Sequence, residues 1–299
     1  MARIWIVSPL YFDAEPYARL QYDLAAALQR SPLKPRLVAI DDSAGLDPAT
    51  GTLGAAVRVV VPPFNLGHQR ALVFGLRRLA PEMADDDFVV TLDADGEDQP
   101  ADLPRLLAPL LADPGNLRLI ALAARTRRHE TLPFKILYFF FRHFFLLLSG
   151  TVVRSGNYAA YRGWVARNVL FHPHFDLCYA SSLLSLNLQI ERVPCERGRR
   201  YAGTSKMTWG KLVLHGFRML MPFADRIAVR GLVASGCGGL ALALLAVARL
   251  LGFGLVERWA LSLGAVLCAV GFGTSLLLLM SFAQSQGLAM SRLHDDGAP

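Results

Sequence analysis

Four carboxylates, those of Asp93, Asp95, Glu97 and Asp98, follow directly on the apolar run Phe88–Leu92. That run, with its two valines, has the composition of a buried strand. In backbone that stays extended past its end, Asp93 and Asp95 share a face, because alternate side chains point the same way. The end of a strand is also where open α/β sheets place their chemistry. Two hard carboxylate oxygens held this close suit Mg2+ or Mn2+, an ion that keeps waters and takes its remaining ligands from a diphosphate. The D-x-D pattern is short and common, and an acidic, solvated loop is the other reading of the same residues. Pro100 and the helix-like Ala101–Ala112 show the acidic turn leading into a helix, which favours the metal.

The elements that must hold this turn flank it. Arg3–Pro9, Arg36–Ile40 and Val57–Val61 read as strands. Tyr17–Gln29, with Tyr17, Leu20, Leu24 and Leu28 at helical spacing, and Gln69–Leu79 read as helices. Such alternation predicts an α/β fold with a mostly parallel, doubly wound sheet. The second strand ends in Asp41-Asp42-Ser43, where a carboxylate can accept hydrogen bonds from a nucleotide's base or ribose, or can serve as a turn or cap residue. Asn65 and Gly67 stand before Gln69–Leu79, so backbone amides could face a diphosphate there.

Beyond the acidic turn, Leu117–Ala123 is a further strand candidate running into Ala124-Arg-Thr-Arg-Arg-His129, with arginines at 125, 127 and 128. An arginine at a strand end can hold a phosphate bidentately, or can belong to a solvated basic loop. Leu132–Leu148 is extremely apolar, yet Lys135 and Arg142 share one helical face. It is too short and too charged to span a bilayer, so an interfacial helix is expected, with a buried core helix as the alternative. Arg154–Arg162 begins with turn residues, and its Gly156-Asn157 could bring backbone close to a ligand. His172 and His174 flank Pro173 and read as incidental. Gln189–Pro194 reads as a last edge strand. Arg199–Lys211 combines bases, hydroxyls and Trp209 ahead of a helix at Leu212–Ala228, which could pair a diphosphate clamp with a helix suited to lie on a bilayer; a solvated charge run is the other reading, less attractive beside that apolar helix.

With 299 residues, 53% of them hydrophobic, and a mean hydropathy of +0.35, the chain is too apolar for an ordinary soluble protein. One soluble domain plus membrane segments fits better. The N-terminus lacks the pattern of a signal peptide, so the bulk of the protein is expected in the cytoplasm. Cys178, Cys195, Cys237 and Cys268 are far apart and show no C-x-x-C pairing, which argues against a disulfide framework or a zinc site. The net charge of +7 is uneven, with acids between Glu82 and Asp102 and bases in Arg125–Arg142 and Arg192–Arg230. An anionic partner is expected, membrane phosphate rather than nucleic acid.

Gly231–Val256 and Trp259–Phe282 are each long enough to cross a hydrocarbon core of ~30 Å. Glu257-Arg258 and the interface aromatic Trp259 make a tight hairpin between them. Arg226, Arg230 and Arg292 place both ends in the cytoplasm by the positive-inside rule, and Arg249 can snorkel. Glycines at Gly236–Gly239 and Gly264–Gly273 would let the two helices approach closely. The expected organisation is a cytoplasmic catalytic domain over residues 1–202, a juxtamembrane amphipathic helix over 203–228, a transmembrane hairpin over 229–284 and a cytoplasmic tail over 285–299.

Taken together, Pro9 and Tyr11, Asp41-Asp42-Ser43, Asn65-x-Gly67, Asp93-Ala-Asp95, Arg125, Gly156-Asn157 and Arg200-Tyr-Ala-Gly-Thr-Ser-Lys206, in this order and before a C-terminal hairpin, resemble the inverting nucleotide-sugar glycosyltransferases with a GT-A (Rossmann-like) fold. Within these, the chain is similar to the polyprenyl-phosphate glycosyltransferases. The resemblance implies a multi-pass enzyme of the inner, cytoplasmic membrane that moves a sugar from a UDP- or GDP-linked donor to a polyprenyl phosphate. It further implies that Pro9, Tyr11, Asp41, Asp42, Asn65 and Gly67 line the nucleotide, with Asp41 at the base. Asp93 would serve the ribose or diphosphate, and Asp95 the metal, with Glu97 beside it where many relatives have glutamine. Arg125 and Lys135 would hold the lipid phosphate, and Arg200, Ser205 and Lys206 would close over the diphosphate. Asp93, Asp95 and Arg125 are the implied catalytic set. The chain departs from the family pattern at Phe12-Asp13, where Asn-Glu is common, and at Asn157, where several relatives have Asp. A processive polysaccharide synthase or a non-catalytic nucleotide-sugar-binding protein are the competing classes. No nucleic-acid partner is expected, and self-association into a homo-oligomer stays open.

Overall fold

The computed structural model of the chain describes residues 2–29, 31–125, 132–153, 155–202, 209–253 and 256–295, without the side chains of 132–136, 155, 209 and 285–295. It divides into two units, residues 1–139 with 153–222, and residues 140–152 with 223–299.

The first unit is built on a seven-stranded sheet in the order β3-β2-β1-β4-β6-β5-β7. Its strands are β1 Arg3–Leu10, β2 Lys34–Asp41, β3 Val57–Val60, β4 Phe88–Thr91, β5 Leu119–Arg125, β6 Ser155–Arg162 and β7 Gln189–Cys195. β1 pairs in parallel with β2 and β4, β2 with β3, and β5 with β7. β6 runs antiparallel to both β4 and β5. The buried parallel strands are continuous apolar runs, because helices cover both faces of the sheet. Ile4 and Ile6 of β1 join a core with Tyr17, Leu20 and Leu24 of α1 (Ala14–Leu28) and Leu103, Leu106 and Leu110 of α3 (Leu103–Ala112). Trp5 and Val7 alternate to the other face, which carries α2 (His68–Leu79) and α5 (Tyr179–Ser185). α2 lies so close to β2 that a Cβ on Gly75 would fall 2.1 Å from Ile40 Cδ1.

The expected strands and helices are present with shifted ends, and Gln189–Cys195 is indeed an edge strand. Pro194 does not end β7 but pairs opposite Ala124 within it, as an edge strand permits. Arg154–Arg162, read from the sequence only as beginning with turn residues, holds an interior strand over 155–162. Ser-Gly-Asn-Tyr-Ala-Ala-Tyr-Arg has no β-branched residue, and its Gly, Asn and two Ala outweigh the strand preference of its two tyrosines. Ala159 and Ala160 are nevertheless fully buried between β4 and β5. A hydroxyl chain runs beneath the site: Thr91 Oγ1 donates to Asn157 O at 2.5 Å and meets Tyr179 OH at 3.0 Å, and Tyr179 OH donates to Tyr161 OH at 3.1 Å.

The expected helix Leu212–Ala228 is two elements, α6 Trp209–Leu220 and the beginning of α7 Ala224–Leu250, separated by a turn at Met221–Phe223. Pro222, with no N–H to donate, accounts for the break. α6 exposes Val213, Leu214 and Phe217 to solvent.

In the second unit the C-terminal half of α4 (Leu132–Ser149) stops at Gly150, whose φ of 73° only glycine adopts readily, and Arg230 of α7 donates to the Leu147 carbonyl at 2.6 Å. Phe145 is fully buried, edge-to-face on Phe223 at 5.5 Å. α7 packs along α8 (Arg258–Asp295). Glycines sit at the crossing as expected, and a Cβ on Gly238 would reach 2.9 Å from Cys268 Sγ. α7 ends at Leu250, short of the expected Val256, because Gly252 turns at φ 94°. Arg249 donates to the Val256 carbonyl, and helical backbone continues past the expected span to Asp295. Gly210–Leu250 and Arg258–Gln284 are each long and apolar enough to cross a membrane, with none of their most apolar windows buried.

Candidate active site

Because β1, β2 and β4 are parallel, their C-terminal ends share one edge of the sheet, and register sets Leu10 beside Asp41 and Val7 beside Thr91. Pro9 and Tyr11, Asp41 and Asp42, and the acidic turn therefore come together from three distant segments. Tyr11 is exposed and meets Phe12 edge-to-face at 5.0 Å. Phe12 holds φ 54°, a strained value for a bulky residue.

At the end of β2, the Asp41 carboxylate accepts from Ser43 N at 3.0 Å and Ser43 Oγ at 2.5 Å, as a turn residue does. Its other oxygen, Oδ2, is buried with no hydrogen-bond partner among the described residues. Asp42 accepts from Leu66 N at 2.7 Å and Asn65 Nδ2 at 3.1 Å. Burial pushes the Asp42 carboxyl up, against the pull of the Leu66 and Gly67 amides. Asn65 thus shapes the loop before α2, and Gly67, at φ 78°, makes the turn into the helix.

The strand ends at Thr91, so the alternation expected of Asp93 and Asp95 does not apply: residues 94–97 form a turn closed by Gly96 at φ 85°. The two carboxylates take different partners. Asp93 Oδ1 meets His68 Nε2 at 3.0 Å and accepts from Asn157 Nδ2 at 3.1 Å. Burial raises the Asp93 carboxyl, but His68, Asn157 and Arg125 outweigh it and hold the group well below the usual carboxylate range. His68 is drawn up in return: burial lowers it, but Asp93, Asp95 and Asp98 together raise it; the ring is 44% exposed, so solvent screens part of this pair. Asp95 pairs with Arg200 at 2.8 Å and accepts from Glu97 N at 2.9 Å. Glu97 pairs with Arg197 and, at 3.2 Å, with Arg200. Burial and then the charge of Asp93 push the Asp95 carboxyl up.

Asp98, buried beneath the turn, accepts from Asp93 N at 3.1 Å and pairs with Arg125 at 3.2 Å. Burial and Asp93 push it up to about 7. The chain after β7 straps the turn from outside, with Gly198 N donating to Glu97 O and Tyr201 N to Asp95 O, each at 2.8 Å. The Tyr201 ring lies on Gly96, where a Cβ would be 2.7 Å away, and its hydroxyl donates to Asp23 at 2.7 Å. A cavity of about 690 Å³ lined by Arg19, Gly96, Gln99, Arg199, Arg200 and Tyr201 opens beside this strap.

The structure therefore gathers Asp93, Asp95, Glu97, Arg125 and Arg200 around one turn. Lys135 lies in α4 with its side chain outside the described residues, as do Ser205 and Lys206 entirely. His68, Gln69 and Arg197 are site neighbours that pattern reading passed over, and Asp98, counted among the acids, was given no role of its own. His68 and Gln69 follow Gly67 immediately, and Asp98 closes the acidic run, so position was the available signal. Among the described residues no three His, Cys, Asp or Glu groups cluster as a metal cage. Asp95 and Glu97 instead offer hard oxygens on one turn, a partial set that fits Mg2+ or Mn2+ completed by diphosphate oxygens and water.

Residues 6–169 match the model for glycosyl transferase family 2. No curated protein sequence matches the chain. Among solved structures, a mycobacterial protein is similar at 20% identity and TM-score 0.52, over 76% of this chain and 75% of that one. Mannosyl-3-phosphoglycerate synthase from Rubrobacter xylanophilus is similar at 16% identity and TM-score 0.50, over 77% and 75%. So is glucosyl-3-phosphoglycerate synthase from Mycobacterium tuberculosis, solved with Mn2+, UDP and phosphoglyceric acid, at 16% identity and TM-score 0.50, over 76% and 78%. At these identities the likeness speaks for the fold, which is the expected GT-A class.

Proposed function

We propose, from the premise that this chain belongs to glycosyl transferase family 2, that it moves a sugar from a UDP- or GDP-linked donor to a polyprenyl phosphate. The observation that carries the proposal is one chain holding both the Asp95–Glu97 turn at the sheet edge and two exposed apolar helices long enough to cross a bilayer. Residues 1–202 are the catalytic domain, 203–228 a juxtamembrane segment that carries α6, and 229–284 the transmembrane hairpin. By the positive-inside rule the catalytic domain and both ends face the cytoplasm.

Asp41 takes the nucleotide base, whose N–H would supply the donor its buried Oδ2 lacks among the described residues. Tyr11 and Pro9 flank the base, Asp42 and Asn65 hold the loop that brings Gly67 near the diphosphate, and Asp93 meets ribose or diphosphate. Asp95 and Glu97 would hold Mg2+ or Mn2+, whose positive charge would offset that of the departing nucleoside diphosphate. Arg200, Ser205 and Lys206 close over that diphosphate, so Arg200 exchanges a carboxylate for a phosphate partner. Arg125 and Lys135 meet the lipid phosphate. That phosphate is already an anion at neutral pH and attacks the anomeric carbon in a single displacement with inversion. The protein's part is therefore alignment and charge stabilisation rather than base catalysis.

The test is transfer of label from UDP- and GDP-sugars to polyprenyl phosphate in vesicles with Mg2+ or Mn2+, counted in butanol-extractable lipid. Transfer to phosphoglyceric acid but not to lipid would move the acceptor to the class named by the structural neighbours. Nucleotide binding without transfer would leave a non-catalytic binder.

A further inference from the structure

Gln69 is the second residue of α2, and both ends of its amide have partners. The backbone N–H of Ala180, at the start of α5, donates to Gln69 Oε1 at 3.0 Å, and Cys178 Sγ stands 3.4 Å from the same oxygen. A main-chain N–H cannot accept, so the atom facing it is the oxygen and the other end of the amide is NH2. That NH2 donates to Asn157 Oδ1. Asn157, with its oxygen engaged, must then turn its own NH2 the other way, where Nδ2 reaches Asp93 Oδ1 at 3.1 Å and lies against His68 Nε2.

An asparagine amide is nearly symmetric in shape, and nothing in its packing alone selects which end meets a carboxylate. Here one backbone N–H sets two amides in series. We propose that Gln69 is a positioning residue of the donor site, holding Asn157 so that its NH2, and not its oxygen, faces Asp93. The inference rests on the reading that Asp93 belongs to that site. With Asn157 reversed, its oxygen would oppose the carboxylate, and Asp93 would lose a donor from the oxygen that His68 and Asn157 now share. Gln69 reaches Asp93 only through Asn157, and the position matters although Asn replaces the acid that several relatives of the resembled family carry at 157.

Gln69→Glu separates this from a packing role, because it keeps an oxygen for Ala180 N–H but offers Asn157 no donor. Donor kcat/KM is expected to fall roughly tenfold in this variant. In an Asn157→Ala background the same change is expected to cost less than about twofold, the non-additivity of residues acting through one another. A full tenfold loss in both backgrounds, or none in the first, overturns the relay. A second arm needs no activity. In [15N]asparagine-labelled protein the Asn157 amide signal, identified by its loss in Asn157→Ala, is expected to move on Asp93→Asn and to be unmoved by that change once Gln69→Glu is present. Equal movement in both overturns the relay. Unequal movement in a protein that transfers no sugar sustains the relay and removes the glycosyltransfer reading instead.

Discussion

The two ends of β4 are both acidic, and they use their acid differently. At its beginning, Asp87 is all but fully buried and accepts from Arg3 N at 2.9 Å, Trp5 Nε1 at 3.0 Å and Ala84 N at 3.1 Å, with Arg3 Nη2 at 3.0 Å. Burial would raise that carboxyl, but Trp5, Arg3 and Ala84 together bring it below its usual value. At the end of the strand four carboxylates share Arg125, Arg197, Arg200 and His68, and two of them, Asp95 and Asp98, are pushed up. A satisfied buried acid ties β1 to β4, whereas crowded acids gain from an added cation. One strand thus carries a structural acid where it enters the sheet and a site for chemistry where it leaves.

The contrast breaks most sharply at Asp95. Asp95→Ala is expected to lower sugar transfer by about 10²–10³-fold while the unfolding midpoint of the detergent-solubilised protein stays near wild type. Chelation of divalent metal should give a comparable loss, reversed by Mn2+. The converse holds at the other end: Asp87→Ala should cost about 2–4 kcal/mol of stability, since it strands the Arg3, Trp5 and Ala84 donors, with donor KM unchanged in the folded fraction.

The two ends also have opposite pH signatures. Asp87, lowered in the fold, contributes stability above its ordinary value of 3.8 that is lost as pH falls through the lowered value. Asp98, raised to about 7, is protonated in the fold where the unfolded chain is ionised, so its contribution declines as pH rises from 3.8 through about 7. Asp98→Asn should flatten that decline in metal-free protein, and Asp87→Asn should flatten the acid limb, both read from unfolding midpoints against pH. The smallest effect is expected at Asp85, whose pair with Arg167 at 2.8 Å is about half exposed on each side. Asp85→Asn should change stability by less than about 0.5 kcal/mol.

Much of this was legible in the residues alone. Parallel strands buried on both faces read as apolar runs, so β1, β4 and the buried second half of β2 announce themselves, and parallel order puts their C-terminal ends, with Asp41, Asp42 and Asp93, on one edge. The antiparallel β6 did not announce itself, because its small and polar residues suit a crowded interior rather than a strand-forming composition. The length and apolarity of α7 and α8 were equally plain, but where α7 stops was not, because Gly252 ends it within a run whose hydropathy continues.

What sequence determined by itself was where the acid lies, since composition and periodicity are local properties of the chain. Which partner each acid takes was decided only in three dimensions: Asn157 reaches Asp93 across 64 residues of chain and Arg197 reaches Glu97 across 100. No spacing rule spans such distances, because those contacts exist only once the sheet has brought its strand ends together.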